Sequence, residues 1–582
     1  MRAIFLGFSL LVACSGGGSG DGDGGVGDGG LAAVPGDEGT YLSVTLRKDP
    51  GGITLLDAQS ILRTTAPRLT TTGDLLVVAW QGGAVQDAGF VTFPTTLRAE
   101  GPEAGEAIEV VIDLGGESTA TLDLFAPSGI EQLTVHDAAG ALIATLDVPT
   151  NPGALTEAEA WVPLASAPWL SVLRPSAALS LLPEAALQLI QTVIDPITEL
   201  TDAQRTRLQR ALQLVPPDIL DASRFVVIST FKPRAAGLLG FATGTTLVIR
   251  ADLLDTAEPT LEFTTIHELT HVFDGFMGFN ANPQNLEGFL VGLDPDAAQA
   301  ARARVQERVR HRRFDRALGV TFDELMAVAR GLGMTEETYC GALDPKECWI
   351  NLNERAYAAG AAIPYGVATL AEDVASWVHT TEALEVTRIP RAHLCSELAS
   401  AQTLQTRGHL LAYAKLAVLK GVGAITDAAF DACVGAFPIP RPDRPGIFLH
   451  KTGTDEVFEL PMAVQAGWTK VLGYPMFSVI AGSSDGQYQG LVQVLAPGDR
   501  QFPTRLSSLS DINAVTVDLP LSGFFLSHST ELGRARASRS GLVLFTELST
   551  DRVEGIILFL ELQSDLFVVT DTFEVGTFLW TP

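Results

Sequence analysis

The residues with the clearest chemical spacing in this chain are His267, Glu268 and His271, which form the pattern His-Glu-x-x-His. On a helix, residues four apart differ by about 40° around the axis, so the two imidazoles share one face and can bind one metal ion. Glu268 is offset from His267 by about 100° and can reach a water molecule near the metal without being a ligand. We therefore predict a catalytic zinc site, with Glu268 as the general base of a peptidase.

The sequence around this pattern favours a buried helix beside a strand. The apolar residues of the helix recur at helical spacing, and Pro259 stands where a helix could begin. They are Leu261, Ile266, Leu269, Val272, Phe273 and Phe276. The preceding segment, residues 245–254 (TTLVIRADLL), is strand-like, and we expect it to lie beside the cleft and pair with an extended peptide substrate.

A hydrolytic zinc site needs a third protein ligand and one open position. No further histidine follows His271 at short spacing, so we expect a distant glutamate, either Glu354 or Glu372. Each also fits a capping box, Asn351-x-x-Glu354 or Thr369-x-x-Glu372, in which the glutamate only closes a helix N-terminus. Local physics does not choose between them.

The segment that begins at Tyr365 resembles the Tyr-x6-Glu-Asp-Phe-Ala-Glu signature of a gluzincin family similar to the catalytic domain of anthrax lethal factor. This resemblance covers roughly residues 185–385. It implies that Glu372 is the third zinc ligand and that Tyr365 stabilises the transition state. It also matches Asp274 to an aspartate that often follows the histidine motif in the family, and it makes Asp274 and Asp373 candidates for supporting the metal ligands.

Two positions depart from the family signature. Val374 replaces the phenylalanine and Ser376 replaces the final glutamate. The second change removes a group that would support the ligands, so metal affinity or activity could be reduced.

The N-terminus has the pattern of an export signal. Arg2 precedes an apolar stretch that is too short to span a bilayer, and the stretch ends in Leu11-Val12-Ala13-Cys14. This resembles the bacterial lipoprotein signal, which implies a lipid on Cys14; the alternative is an ordinary secreted protein with a chance cysteine. Ser15 after the cysteine resembles lipoproteins of the outer membrane. We therefore expect an exported protein that is lipid-anchored at the outer membrane or cell surface.

Four further cysteines predict two disulfides in an oxidising compartment. Three pairings are possible, and we favour Cys340 with Cys348 and Cys395 with Cys433. Zinc binding by these residues is disfavoured because no Cys-x-x-Cys spacing occurs.

Composition and patterning predict a multidomain protein of 582 residues. We expect a signal peptide over 1–13, a lipidated cysteine and Gly-rich tether over 14–40, and a β-sandwich-like domain over 41–165. A central α+β zincin-like metallopeptidase domain over 166–440 and a C-terminal all-β domain over 445–582 follow. The formal charge of −29 argues against a nucleic-acid partner.

The predicted activity is therefore hydrolysis of a peptide or protein substrate by a lipid-tethered zinc enzyme. The alternative is a surface binding or adhesion lipoprotein, in which β domains act around a degenerate zincin. We assign no role to the remaining histidines: His136, His311, His379, His393, His409, His450 and His528.

Overall fold

The computed structural model describes a large part of the chain. The described residues are 39–63, 73–93, 96–99, 110–113, 118–149, 156–177, 194–197, 199–231, 239–243, 245–256, 260–277, 286–305, 362, 370–382, 407–421, 423–434, 441–471, 474–495, 504–505, 523–528, 536–548, 551–563 and 569–582. None of the helices in these ranges is long and apolar enough to cross a membrane.

Strands dominate both ends of the chain. The first nine are β1 (Gly39–Asp49), β2 (Gly52–Arg63), β3 (Leu75–Gln81), β4 (Ala84–Val91), β5 (Thr96–Ala99), β6 (Val110–Asp113), β7 (Ser118–Phe125), β8 (Gln132–His136) and β9 (Leu142–Asp147). The central strands are β10 (Ala160–Trp161), β11 (Ser171–Leu173), β12 (Ile194–Ile197), β13 (Phe225–Phe231), β14 (Gly240–Thr243) and β15 (Thr246–Arg250). The C-terminal strands are β16 (Gly446–Lys451), β17 (Val457–Leu460), β18 (Met462–Val471), β19 (Tyr474–Gly482), β20 (Tyr488–Leu495), β21 (Thr504–Arg505), β22 (Gly523–His528), β23 (Arg536–Leu548), β24 (Val553–Gln563) and β25 (Val569–Trp580).

Helices are confined to the middle of the chain within the described ranges. They include α1 (Asp202–Gln213), α2 (Pro217–Ala222), α3 (Thr260–Met277), α4 (Leu286–Leu290), α5 (Leu370–Glu382), α6 (Arg407–Gly421) and α7 (Asp427–Val434), and residues 295–305 are also helical. A short 3₁₀ turn, Ala251–Leu254, follows β15. The protein is thus built from several sheets, mostly β in character, with some helices.

Two antiparallel sheets near the N-terminus share one apolar core, as in a β-sandwich. One sheet has the order β2-β1-β7 and the other β4-β3-β8-β9. Alternate residues of β1, β3 and β7, such as Val44, Val77 and Leu122, meet in this core. This alternation is the period-two pattern that a half-buried strand requires.

An eight-stranded mixed sheet forms the centre of the protein, in the order β10-β11-β13-β15-β14-β5-β6 with β12 beside β13. Strands β11, β13 and β15 run parallel, whereas β14 is antiparallel to β15. The hairpin β5–β6 and strand β10 precede residue 166, so this sheet crosses the boundary that we predicted there.

A buried ion pair joins the N-terminal sheet to the central one. Arg224, immediately before β13, pairs with Asp123 of β7, and its Nε also donates to the Ser43 hydroxyl at 3.0 Å. All three side chains are buried. Removing either charged partner would therefore leave the other charge buried without compensation.

The largest apolar core lies between the central sheet and the helices. It contains residues of α1, α2, α3, α5 and α6 together with the parallel strands, such as Leu212, Leu269, Trp377, Leu411 and Val226. Helix α3 lies against β14 and β15 on one side and against α5 on another. This core therefore determines how α3 and α5 meet.

The C-terminal region is one ten-stranded antiparallel sheet in the order β17-β16-β25-β24-β23-β22-β20-β19-β18, with β21 beside β23. Ile556 and Leu558 of β24 join the helical core rather than the sheet's own core. The C-terminal sheet therefore packs against the central helices.

Cys433 is buried in α7 and forms a disulfide bond. The other four cysteines lie outside the described residues, so the pairing that we favour stays a prediction.

Candidate metal centre

The histidine pair lies on α3, which is buried along the face that the sequence predicts. Leu261, Ile266 and Leu269 are fully buried, and they anchor the helix in the central core. The Nε2 atoms of His267 and His271 lie 3.1 Å apart, and the two rings are nearly perpendicular. The helix thus presents two nitrogen donors to one point.

Glu372 lies in the first turn of α5, which packs against α3. Its Oε2 atom is 3.2 Å from Nε2 of His267 and 3.4 Å from Nε2 of His271. The Glu372 side chain is only 2% exposed, so its carboxylate is directed into the protein. Three ligand-type atoms from two helices therefore meet at one place.

The spacing and chemistry of these atoms fit a zinc ion. With zinc–ligand bonds of about 2.0–2.2 Å in tetrahedral geometry, two ligand atoms are about 3.3–3.6 Å apart. The three separations here are 3.1, 3.2 and 3.4 Å. Two imidazoles and one carboxylate suit zinc, whereas calcium and magnesium prefer oxygen donors only.

Glu268 is buried next to the histidine pair, and the sheet approaches it closely. A Cβ atom at Gly240 of β14 would lie 3.2 Å from the Cγ atom of Glu268 and 3.0 Å from the backbone oxygen of Val248. Glycine at position 240 therefore allows β14 to lie against Glu268, and this contact restricts where the Glu268 side chain can go.

The prediction that residues 245–254 pair with a peptide substrate is wrong. Strand β15 pairs with β13 along one edge and with β14 along the other, and residues 251–254 form a 3₁₀ turn. A strand with neighbours on both edges has no backbone groups left for a peptide. Strand β14, which also lies against α3, pairs along its outer edge with β5 at Phe241–Ala99 and Ala242–Arg98.

His379, to which we assigned no role from the sequence, lies against His267. Its Nδ1 atom is 2.8 Å from Nδ1 of His267, and its ring stands edge-on to Phe263. His379 follows Glu372 by seven residues, or about two helical turns, so both lie on the same face of α5. That seven-residue spacing is the signal by which sequence reasoning could have found it.

Asp373 is held in a buried ion pair. Its Oδ2 accepts a hydrogen bond from Nζ of Lys415 on α6 at 2.5 Å, and each side chain is 1% exposed. The pair joins α5 to α6 immediately beside Glu372. Its contribution to the centre is therefore to hold the helix that carries Glu372.

Several predicted site residues lie outside the part of the chain that the structure describes. Tyr365, Glu354 and Cys14 lie outside the described residues, and Asp274 lies in α3 with a side chain that is not described.

Comparison of the chain with protein-family profiles, with curated proteins and with solved structures finds no match.

Proposed function

We propose that this protein is a zinc-dependent peptidase whose metal ligands are His267, His271 and Glu372. The observation that carries the proposal is the meeting of two Nε2 atoms and one Oε2 atom at separations of 3.1–3.4 Å. These ligands belong to the two helices that hold the His-Glu-x-x-His pattern and the Glu-Asp-x-Ala segment. Agreement between motif and geometry is more specific than either alone.

A bound zinc ion supplies Lewis acidity, which polarises the scissile carbonyl and lowers the pKa of water. Glu268 accepts a proton from the attacking water and donates it to the leaving amine. Its burial places this carboxylate in a medium of low dielectric, where charge interactions are stronger than in bulk water. Gly240 of β14 lies so close to its Cγ atom that a Cβ atom at position 240 would be 3.2 Å away.

The family resemblance adds two further assignments. Within a gluzincin-type, zincin-like domain similar to the catalytic domain of anthrax lethal factor, Tyr365 donates a hydrogen bond to the developing oxyanion. The family's final glutamate is replaced by Ser376, which is fully buried in α5. Support for the ligands must then come from other residues.

The substrate class is a peptide or an unfolded protein, and the location is the outer membrane or cell surface. The lipoprotein-like segment Leu11-Val12-Ala13-Cys14 and the Gly-rich tether support this location. The acidic charge of −29 disfavours a nucleic-acid partner.

One observation favours the second candidate, a surface binding lipoprotein with an inactive zincin-like domain. The β5–β6 hairpin pairs with the outer edge of β14, where an extended peptide could otherwise add a strand. A substrate would have to displace this hairpin or bind in another way.

The test is a comparison of the chain from Ser15 onward with its Glu268→Gln variant. Zinc content is measured by mass spectrometry, and hydrolysis is measured on an unfolded protein substrate. We expect about one zinc in both proteins and a loss of at least a hundredfold in hydrolysis for Glu268→Gln. Glu287→Gln is the matched control, since Glu287 forms an exposed ion pair with Arg302. Zinc without hydrolysis would favour the binding lipoprotein, and absence of zinc would overturn the metal site.

A further inference from the structure

We propose that His379 is a positioning residue that orients the first histidine ligand through a histidine–histidine hydrogen bond. The proposal rests on the proposed function, from which it takes zinc as the bound metal. The hydrogen bond is between two protein side chains and can be tested without the metal.

The two ring nitrogens of His267 face different partners. Its Nε2 lies 3.2 Å from Oε2 of Glu372, and its Nδ1 lies 2.8 Å from Nδ1 of His379. A separation of 2.8 Å is that of a strong hydrogen bond. The His267 side chain is 6% exposed, so a proton on Nδ1 has a protein acceptor there in place of bulk water.

Metal binding determines the direction of this hydrogen bond. A neutral imidazole that offers the lone pair of Nε2 to a metal carries its proton on Nδ1. Nδ1 of His267 therefore donates, Nδ1 of His379 accepts, and His379 carries its own proton on Nε2. A donor-only side chain at position 379 would instead favour the His267 tautomer that cannot bind metal through Nε2.

The ring of His379 is itself held in place. Phe263 lies one turn before His267 on α3, and its ring meets that of His379 at 85° with centroids 5.5 Å apart. Glu372 and His379 lie on one face of α5, which packs against α3. The same packing therefore brings Glu372 to the metal site and His379 to the ring of His267.

The choice of histidine has a chemical consequence. The second nitrogen of a metal-binding histidine often donates to a carboxylate or a backbone carbonyl. A neutral imidazole acceptor adds no negative charge, so it makes His267 a weaker electron donor than a carboxylate would. The centre then keeps more of the positive charge of the metal for its Lewis acidity.

The test compares two substitutions at this position. In His379→Asn, the side-chain oxygen can take the place of Nδ1 as an acceptor. In His379→Leu, the side chain has similar bulk but no acceptor. His528→Leu is the matched control, because His528 is also a buried histidine that meets an aromatic ring, Tyr488, edge-on in the distant C-terminal sheet.

Zinc affinity is measured by competition with a chelator, and thermal unfolding of each apoprotein checks the fold. We expect His379→Leu to weaken zinc binding by about 10- to 100-fold, and His379→Asn and His528→Leu to stay within a few-fold of the wild type. Unchanged affinity in His379→Leu would overturn the proposal. Equal losses in the Leu and Asn variants would also overturn it, because bulk rather than hydrogen bonding would then be responsible.

A second readout separates this proposal from the proposed function. The tautomer of His267 in the apoprotein is read from the nitrogen shifts of isotope-labelled histidines. We expect the hydrogen bond between the two Nδ1 atoms in the wild type, seen as one protonated and one acceptor Nδ1 in the His267–His379 pair, and its loss in His379→Leu. If the wild type bound no zinc, the proposed function would fail, whereas the tautomer comparison would still decide the role of His379.

Discussion

Oε2 of Glu372 lies 3.2 Å from Nε2 of His267, although the two residues are 105 positions apart in the chain (372 − 267). The contact joins α3 to α5, and both helices contribute residues to the central apolar core. A carboxylate buried against two imidazoles is costly unless a proton or a cation compensates its charge. A metal ion at this place would compensate it, and the first two predictions test this idea.

Removing either histidine should remove the metal. We expect about one zinc per chain in the wild type and much less in His267→Ala and His271→Ala, because each loses one of three protein ligands. Zinc content is measured by mass spectrometry after gel filtration. His450→Ala is the control, since His450 is exposed on β16 and should leave the zinc content unchanged. Stoichiometric zinc in both site variants would refute the site.

Glu372, rather than Glu354, should be the third ligand. Glu372→Ala should lose metal with little loss of fold, because its carboxylate faces both histidines. Glu354→Ala should keep its metal and lose at most about 1 kcal/mol of stability, the usual contribution of a helix cap. Zinc content and thermal unfolding of the two variants are compared directly. Loss of metal in Glu354→Ala alone would instead assign the ligand to Glu354.

The buried Asp373–Lys415 pair should be important for stability. Lys415→Met leaves the Asp373 carboxylate buried without its ammonium partner, which should lower the free energy of unfolding by about 3–5 kcal/mol. The double variant Asp373→Leu/Lys415→Met should recover part of this loss. Urea unfolding measures both.

The control for this pair is Arg444→Met, which breaks the exposed Arg444–Glu459 pair, whose side chains are 53% and 46% exposed. An exposed pair contributes at most about 1 kcal/mol, so little change is expected. Equal losses of unfolding free energy in Lys415→Met and Arg444→Met would show that burial does not make the Asp373–Lys415 pair more important than an exposed pair.

Gly240 should matter for catalysis more than for metal binding. In Gly240→Ala the new methyl group would lie 3.0 Å from Cγ2 of Thr264, 3.0 Å from the backbone oxygen of Val248 and 3.2 Å from Cγ of Glu268, so the helix side chains or the strand must shift. We expect hydrolysis to fall by about 10- to 100-fold with zinc retained, since small misplacements of a catalytic group have effects of this size. Gly467→Ala is the control, because a Cβ atom there meets no other atom within 4 Å. An unchanged rate in Gly240→Ala would show that β14 does not restrict Glu268.

Cys14 should carry the membrane anchor. Cys14→Ser should lose incorporation of a labelled fatty acid and should move from the membrane to the soluble fraction, because the resemblance to lipoprotein signals makes this thiol the expected site of acylation. Ser15→Ala leaves the cysteine intact and should keep the label. Membrane association of an unlabelled Cys14→Ser protein would place the anchor elsewhere.

Short-range patterns in the sequence were sufficient to predict the helix that carries His267 and His271. Helical periodicity depends only on neighbours three and four residues away, so the shared face of His267 and His271 and the burial of Leu269 follow from local geometry. The alternating strands at both ends of the chain are likewise local patterns, and the structure has them as antiparallel sheets. The choice of Glu372 over Glu354 came from a family resemblance, because both glutamates have the same local capping-box spacing.

Contacts between distant segments were decided only by the tertiary structure. The pairing of Phe241 with Ala99 joins residues 142 positions apart (241 − 99), and no local period specifies which strand covers an edge. The contact of His379 with His267 depends on how α5 lies on α3, which the whole central core determines. The sequence by itself determined which residues share one helix face, because that depends on backbone geometry. Which faces meet depends on the packing of many side chains at once, and only the folded chain decides it.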